Sequence, residues 1–415
     1  MSVDYLRNIG LHFQVGIDVN HIGDSRYLNL AAAQNAVTST LAACQVSTID
    51  QAIQGCPGLY PATPTTPAGP ASITDFANNG LDSGNVYNAG YSVYYAWGGQ
   101  FNPDSGAAFA GVNPSLGNLN MNYPMGRSVY DGLQSEYRLQ VADPFRGVKN
   151  LNLQLNYTLS RFESNNGYDQ HFTTNAWDYR NPTAFMGPTL QDRTHQFKFG
   201  AIFDFAHHGP RLSLIGGFAS PQPSDLRIPV YTSTGEIFRS DLTGDGTTGD
   251  FLNTANGIGH PGTFMRSITP KNLDAYIQNF NNTVAGTLTP AGQALVNAAL
   301  FRPDQLVSLG AVVQPIQVPT GSNAGNGYYK DVDTVLSWPF KIREGISILP
   351  SISFFNVFNF VNYGTLGGLL GGPGAINGTP AGVNDATNTI RIGRGSGVFA
   401  VGAPREAEFG LRIDF

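Results

Sequence analysis

The chain closes on a strand that is apolar on one side and polar on the other, and it ends on an aromatic residue. In residues 407–415, Phe409, Leu411, Ile413 and Phe415 fall on one face, while Glu408, Gly410, Arg412 and Asp414 fall on the other. Successive side chains of a strand point to opposite faces, so this period of two makes a ribbon with one greasy and one wet surface. Such a ribbon suits a wall with lipid outside and water inside.

The same alternation recurs upstream and predicts eight strands. Residues 5–21 place Leu11, Phe13, Val15, Ile17 and Val19 on one side. Residues 127–142 set Val129, Leu133, Tyr137, Leu139 and Val141 against Gln134, Glu136, Arg138 and Gln140. Residues 151–160 are the cleanest case, with Leu151, Leu153, Leu155, Tyr157 and Leu159 against Asn152, Gln154, Asn156, Thr158 and Ser160. Phe197, Phe199, Phe203 and Phe205 mark 195–205, where Ile202 breaks the polar row. Shorter runs follow at 211–219, 330–342 and 346–358. Each is close to the ~9–11 residues that a tilted strand needs to cross a bilayer.

The connections alternate in length. Asp143–Asn150, His207–Pro210 and Arg343–Gly345 are short, whereas 23–126, 164–192, 220–329 and 360–403 are long. Membrane barrels distribute their turns this way, tight on the periplasmic side and long outside. The fold class expected is therefore an all-β membrane protein, an antiparallel transmembrane β-barrel segment whose long extracellular loops carry short helices. Thr269-Pro270, with Leu273, Tyr276, Ile277 and Phe280, predicts one helix; Thr289-Pro290 a second; Pro303 a third. Residues 57–72, rich in Pro, and 364–382, rich in Gly, read as mobile loops.

Composition excludes other classes. Only 13% of the 415 residues are charged, against about 25% in soluble proteins. No apolar run approaches the ~20 residues of a membrane helix. A net charge of −6 without a basic patch argues against nucleic acid as a partner. Cys44 and Cys56 lie twelve apart with no histidine between them, which favours a loop disulfide in an oxidising compartment over zinc. The first ten residues have neither a basic nor an apolar signal segment, so the expectation is a chain that starts partway through a longer one.

Few residues suggest chemistry. Asp241, Thr243 and Asp245, followed by Gly246, match the first half of a calcium loop, but the twelfth position is Leu252 instead of Glu. An Asp/Gly turn is the plainer reading, with calcium as the only cofactor suggested. The Gly393–Gly397 run follows no strand and opens no helix, so it is not read as a phosphate loop. No nucleophile elbow, reactive cysteine or placed carboxylate pair appears, and no enzyme is expected.

The residues that carry a family likeness are Val19–Asn29, Gly126–Tyr130, Pro144–Lys149, Tyr157–Arg161, Arg180–Pro182, Asp192–Gln196, Gly235–Arg239, Leu288–Gln293, Phe354–Phe360 and Pro404–Phe409. With these the chain resembles, along nearly its whole length, the C-terminal barrel portion of Oar-like TonB-dependent outer-membrane receptors of acidobacterial type. The resemblance implies a barrel of about 22 strands. It also implies a plug folded inside that barrel and energy coupling through a TonB-type inner-membrane complex. On that basis residues 1–415 would be part of the barrel, with plug and signal peptide outside the chain, and the function would be uptake of a bulky solute across the outer membrane. Phe409, Leu411, Ile413 and Phe415 would form the C-terminal signal for the barrel-assembly machinery. Two other readings are a self-contained small barrel, acting as pore or surface anchor, and a secreted soluble β-sandwich that binds glycans.

Overall fold

The computed structural model of the chain describes residues 1–82, 107–114, 119–165, 186–189, 191–207, 209–223, 226–230, 234–252, 262, 266–269, 272–316, 327–362 and 404–415. The Gly-rich 364–382 stretch, the Gly393–Gly397 run and Arg180–Pro182 lie outside these residues.

One antiparallel sheet dominates. Its strands are β1 (Ser2–Asp18), β2 (Asn120–Phe145), β3 (Val148–Ser164), β4 (Gly187–Pro188), β5 (His195–Phe205), β6 (Arg211–Ala219), β7 (Tyr329–Ser337), β8 (Phe340–Arg343), β9 (Ile346–Phe355) and β10 (Glu406–Asp414). The pairing path is β1-β2-β3-β5-β6-β7-β9-β10, with β4 and β8 appended to β3 and β9. Neighbours in this path are neighbours in sequence, so the sheet is a meander. Among the described residues β1 and β10 do not pair with each other, so the sheet is open and a closed eight-stranded barrel is not formed. Among the described residues there is this one sheet, where a β-sandwich has two.

Register follows the hydrophobic pattern. Leu139, Leu153, Ala201 and Leu214 stand side by side across four strands, as do Gln140, Asn152, Ile202 and Ser213 on the other face. The turn between β2 and β3 is set by Gly147, whose φ of +91° lies in the left-handed region that favours glycine.

Two departures from the expected rows have local causes. His12 takes a positive φ of 58° at a bulge in β1, and the extra residue changes which face the next side chain reaches. Phe13 is therefore paired with Gly126, and its ring lies where a Cβ on Gly126 would stand, 2.1 Å from the nearest ring atom. Phe13 thus leaves the apolar row that the sequence assigned to it, and Gly126 is the residue that leaves it room. The second departure is in 330–342, which splits into β7 and β8 around Trp338-Pro339, because proline has no N–H to give to a ladder.

The hydrophobic core lies in the long connections. One buried cluster joins Ala33, Ala36, Phe76, Phe109, Phe238, Leu295 and Leu306, with the Phe76 and Phe301 rings edge-on at 5.4 Å. A second joins Leu226, Ile268, Ile277, Phe280 and Val313. Neither cluster draws a residue from the strands. Helices Leu30–Cys44, Ile49–Gln54 and Ile73–Phe76 occupy the first long connection; Leu273–Thr283, Pro290–Asn297 and Pro303–Ser308 occupy the third. Pro290–Asn297 begins behind Thr289, whose hydroxyl accepts from Gly292 N. Leu273–Thr283 begins three residues later than Thr269-Pro270 suggested, with Asn272 at its N-cap. The sequence reads residues 57–72 as a mobile loop; in the structure residues 56–70 form a hairpin with its own backbone hydrogen bonds.

Candidate functional site

Among the described residues nothing covers the sheet's apolar face. Phe409, Leu411 and Ile413 share one face of β10, and Phe415 follows its last residue; Phe409 is 80% exposed and Phe415 95%. The row continues onto β9, where Phe409 pairs with Ile352, Leu411 with Pro350 and Ile413 with Ile348. Leu133, Tyr137, Leu159, Leu336, Trp338 and Phe340 are also exposed on this face. An apolar area of this extent on one face of a single sheet needs a partner or a lipid solvent.

Aromatic side chains gather at two levels of that face. Near the long connections the Phe197, Phe199 and Phe218 rings stack 6.0–6.4 Å apart, and the Tyr157 hydroxyl meets His195 Nδ1 at 2.8 Å. Near the tight turns lie Phe145, Phe205 and the Trp338–Phe340 pair, stacked at 5.9 Å. Phe197 and Phe205 are eight residues apart in β5. At ~3.4 Å per residue that spans about 27 Å along the strand, or roughly 21 Å across the membrane at a tilt of ~40°, within a few ångströms of the ~25 Å apolar band of a membrane barrel. Just above the upper level the same rows turn charged: Arg7 stands beside Asp131 at 3.5 Å, and Arg161 bonds Glu163.

The opposite face is polar and internally paired. Glu136 Oε1 accepts from Arg138 Nε at 2.6 Å and from Gln154 Nε2 at 2.8 Å, and Arg211 Nε reaches Asp204 at 2.6 Å. A concavity of about 550 Å³ lies along this face, lined by Arg138, Gln154 and Asp333 and also by Ile202 and Ile215.

The long connections form a stapled assembly. The structure joins Cys44 and Cys56, both fully buried, in a disulfide with Cα atoms 4.4 Å apart. His21 Nδ1 sits 3.0 Å from Asp18 Oδ2, where the chain leaves β1. Burial of His21 disfavours its charge, but the Asp18 hydrogen bond and the nearby Asp245 carboxylate outweigh that and raise its pKa. Ser25 donates from N and Oγ to Gly244 O at 2.9 and 2.7 Å, tying the first connection to the third.

That contact leads to the acidic loop. Asp241 and Asp245 are fully buried and Asp250 is 1% exposed. Asp241 Oδ1 accepts from Gly244 N at 2.5 Å, and its Oδ2 from Gly246 N at 2.9 Å. Asp245 Oδ1 accepts from Thr247 N and Oγ1 at 2.8 and 2.6 Å, and from the Thr243 hydroxyl at 3.0 Å. Asp250 Oδ2 accepts from Leu242 N and Thr243 N at 2.6 and 2.9 Å. Burial, then repulsion from Asp250 and Asp245, pushes the Asp241 pKa well up. Burial, then Asp245, pushes Asp250 up to about 7. The structure thus brings Asp241, Thr243 and Asp245 together, with their oxygens turned toward N–H and hydroxyl groups of their own loop. Among the described residues no group of three or more His, Cys, Asp or Glu side chains is arranged to hold a metal ion. EF-hand spacing points to Leu252, whereas the residue that closes this loop is Asp250. Its signal was a third aspartate after Gly249, a residue with φ +74° that folds the chain back.

No protein-family model matches the chain, and no curated protein matches it. Among solved structures the chain is similar to the outer membrane transporter YddB from Escherichia coli, with a TM-score of 0.30 and 9% sequence identity. The match covers 71% of this chain and 26% of that one, so the chain spans about a quarter of the transporter's length. A likeness this distant decides neither fold nor function.

Proposed function

We propose that the chain is part of the wall of an outer-membrane β-barrel receptor of the Oar-like, TonB-dependent kind, and that the whole barrel imports a bulky solute. One observation carries the reading. Among the described residues a single long sheet leaves its apolar face without protein cover, while the buried apolar clusters sit wholly in the connections. Water does not support that arrangement, because a sheet normally buries its greasy face against a second layer. Lipid does, with the two aromatic levels at the interfaces and the polar face toward a wet lumen.

The open edges at β1 and β10 are where further strands of a larger barrel would join. The small polar residues of the inner rows, such as Gly200, Ser213, Ser351 and Ser353, suit a wide lumen, since a small barrel must fill its interior with side chains. The helical connections would cover the outer mouth and capture solute. A plug would act as the gate, moved by an inner-membrane energy-coupling complex. The exposed Phe409–Phe415 row would be read by the barrel-assembly machinery.

Membrane fractionation tests the reading. Expressed with an export signal, the chain is expected in the outer-membrane pellet, resistant to alkaline carbonate and released only by detergent. Release by carbonate as a soluble monomer would overturn it.

A further inference from the structure

The hairpin at 56–70 carries a feature that neither wall nor mouth uses. Its base is ordered: Cys56 N donates to Gly69 O at 2.7 Å, Gly69 N to Tyr60 O at 3.1 Å, and Thr63 N to Thr66 O at 2.8 Å. The disulfide to Cys44 anchors it to the Leu30–Cys44 helix. Every residue from 57 to 67 is exposed. From Gln51 to Thr74 the chain holds no charged residue and no histidine, but Pro57, Pro61, Pro64, Pro67 and Pro70.

The tip is Thr63-Pro64-Thr65-Thr66, a turn with proline at its second position, where the fixed φ is already correct. Two of its hydroxyls serve the turn. Thr63 Oγ1 accepts from Thr66 N at 3.1 Å and meets Thr66 Oγ1 at 2.5 Å. Thr65 Oγ1 has only a 3.4 Å approach to Thr63 Oγ1. Turn chemistry therefore accounts for Thr63 and Thr66 but leaves Thr65 as an exposed hydroxyl at the apex of a rigid, uncharged spur. Threonine among spaced prolines is the composition of O-glycosylated segments. The stem also exposes Leu59 and Tyr60, at 40% and 41%, apolar surface that a bound sugar would shield.

We propose that Thr65 is an O-glycosylation acceptor. A transferase would take the proton from Thr65 Oγ1 onto its own base. The oxygen would form a bond to the anomeric carbon of a phosphate-activated sugar, and the bond from that carbon to the phosphate oxygen would break. The phosphate leaves with the electron pair, and nothing is oxidised or reduced. Pro64 fixes φ within the turn and Pro61 and Pro67 fix it on either side, so the enzyme meets an acceptor that needs little ordering.

The test is mass spectrometry of the full chain purified from its native outer membrane, with fragmentation that keeps side-chain modifications in place. The peptide containing residues 61–70 is expected to carry a sugar mass on Thr65. Thr65→Val is expected to remove it and Thr65→Ser to keep it, with the Cys44–Cys56 disulfide intact in both. An unmodified wild-type peptide, or a sugar that survives Thr65→Val, would overturn the proposal.

Discussion

Leu153→Arg is expected to destabilise the membrane-inserted sheet by about 2–4 kcal/mol, whereas Gln154→Arg is expected to change stability by less than about 0.5 kcal/mol. The two residues are adjacent in β3 and differ only in face. Leu153 stands between Leu139 and Ala201 on the apolar side, midway between the two aromatic levels. With lipid on this face, as proposed, a guanidinium there must shed its water or drag water into hydrocarbon, and at mid-depth it has no interface within reach. Gln154 points to the polar side, where it already bonds Glu136 at 2.8 Å, so an arginine at 154 gains a carboxylate partner and stays wet. Denaturant titration of the protein in lipid vesicles reads both changes. Equal, small costs at the two positions would mean that water wets both faces.

Asp250→Asn is expected to stabilise the loop assembly at pH 8 and to leave it unchanged at pH 4. The Asp250 pKa is about 7 in the folded chain and near 3.9 when unfolded. Between those values the folded state holds a proton that the unfolded state has lost, so stability falls as pH rises through the window and levels off above about 7. The amide imitates the protonated acid. Its oxygen can accept from Leu242 N and Thr243 N as the acid does, and it carries no charge toward Asp241 and Asp245. The gain at pH 8 is a few kcal/mol, at roughly 1.4 kcal/mol per unit of displacement. Exchange of the Leu242 and Thr243 amides, followed at both pH values, reports it. A loss at pH 8 that millimolar calcium reverses in the unsubstituted chain alone would mean that a bound cation balances these carboxylates.

The strands were legible because their signal is local. A period of two needs only a few neighbours, and rows such as Leu151–Leu159 have one reading. The reading failed where one residue changed the geometry. The bulge at His12 moved Phe13 across to Gly126, and Pro339 cut one expected strand into two. The helix at Leu30–Cys44 was missed because Ala, Asn, Gln and Thr give it a weak apolar stripe; its signal was the cap, where Asn29 Oδ1 accepts from Ala32 N. Thr48 and Gln51 form a capping box that likewise marked the next helix. The acidic loop is closed locally, by Asp250 on Leu242 N and Thr243 N, but the contacts that tie it and the residues just before it to the first connection lie in no window of sequence. Ser25 reaches Gly244 across 219 positions, and Asp82 accepts from Gly235 N across 153.

Lipid accessibility along β3 tests the central claim most directly. Single cysteines at positions 151–158, labelled with a fluorophore in vesicles, would be quenched in turn by a nitroxide lipid and by a water-soluble quencher. Positions 151, 153, 155 and 157 are expected to respond to the lipid quencher, and 152, 154, 156 and 158 to the aqueous one. Uniform quenching by the aqueous reagent at all eight, with none by lipid, would contradict a sheet that has hydrocarbon on one side and water on the other.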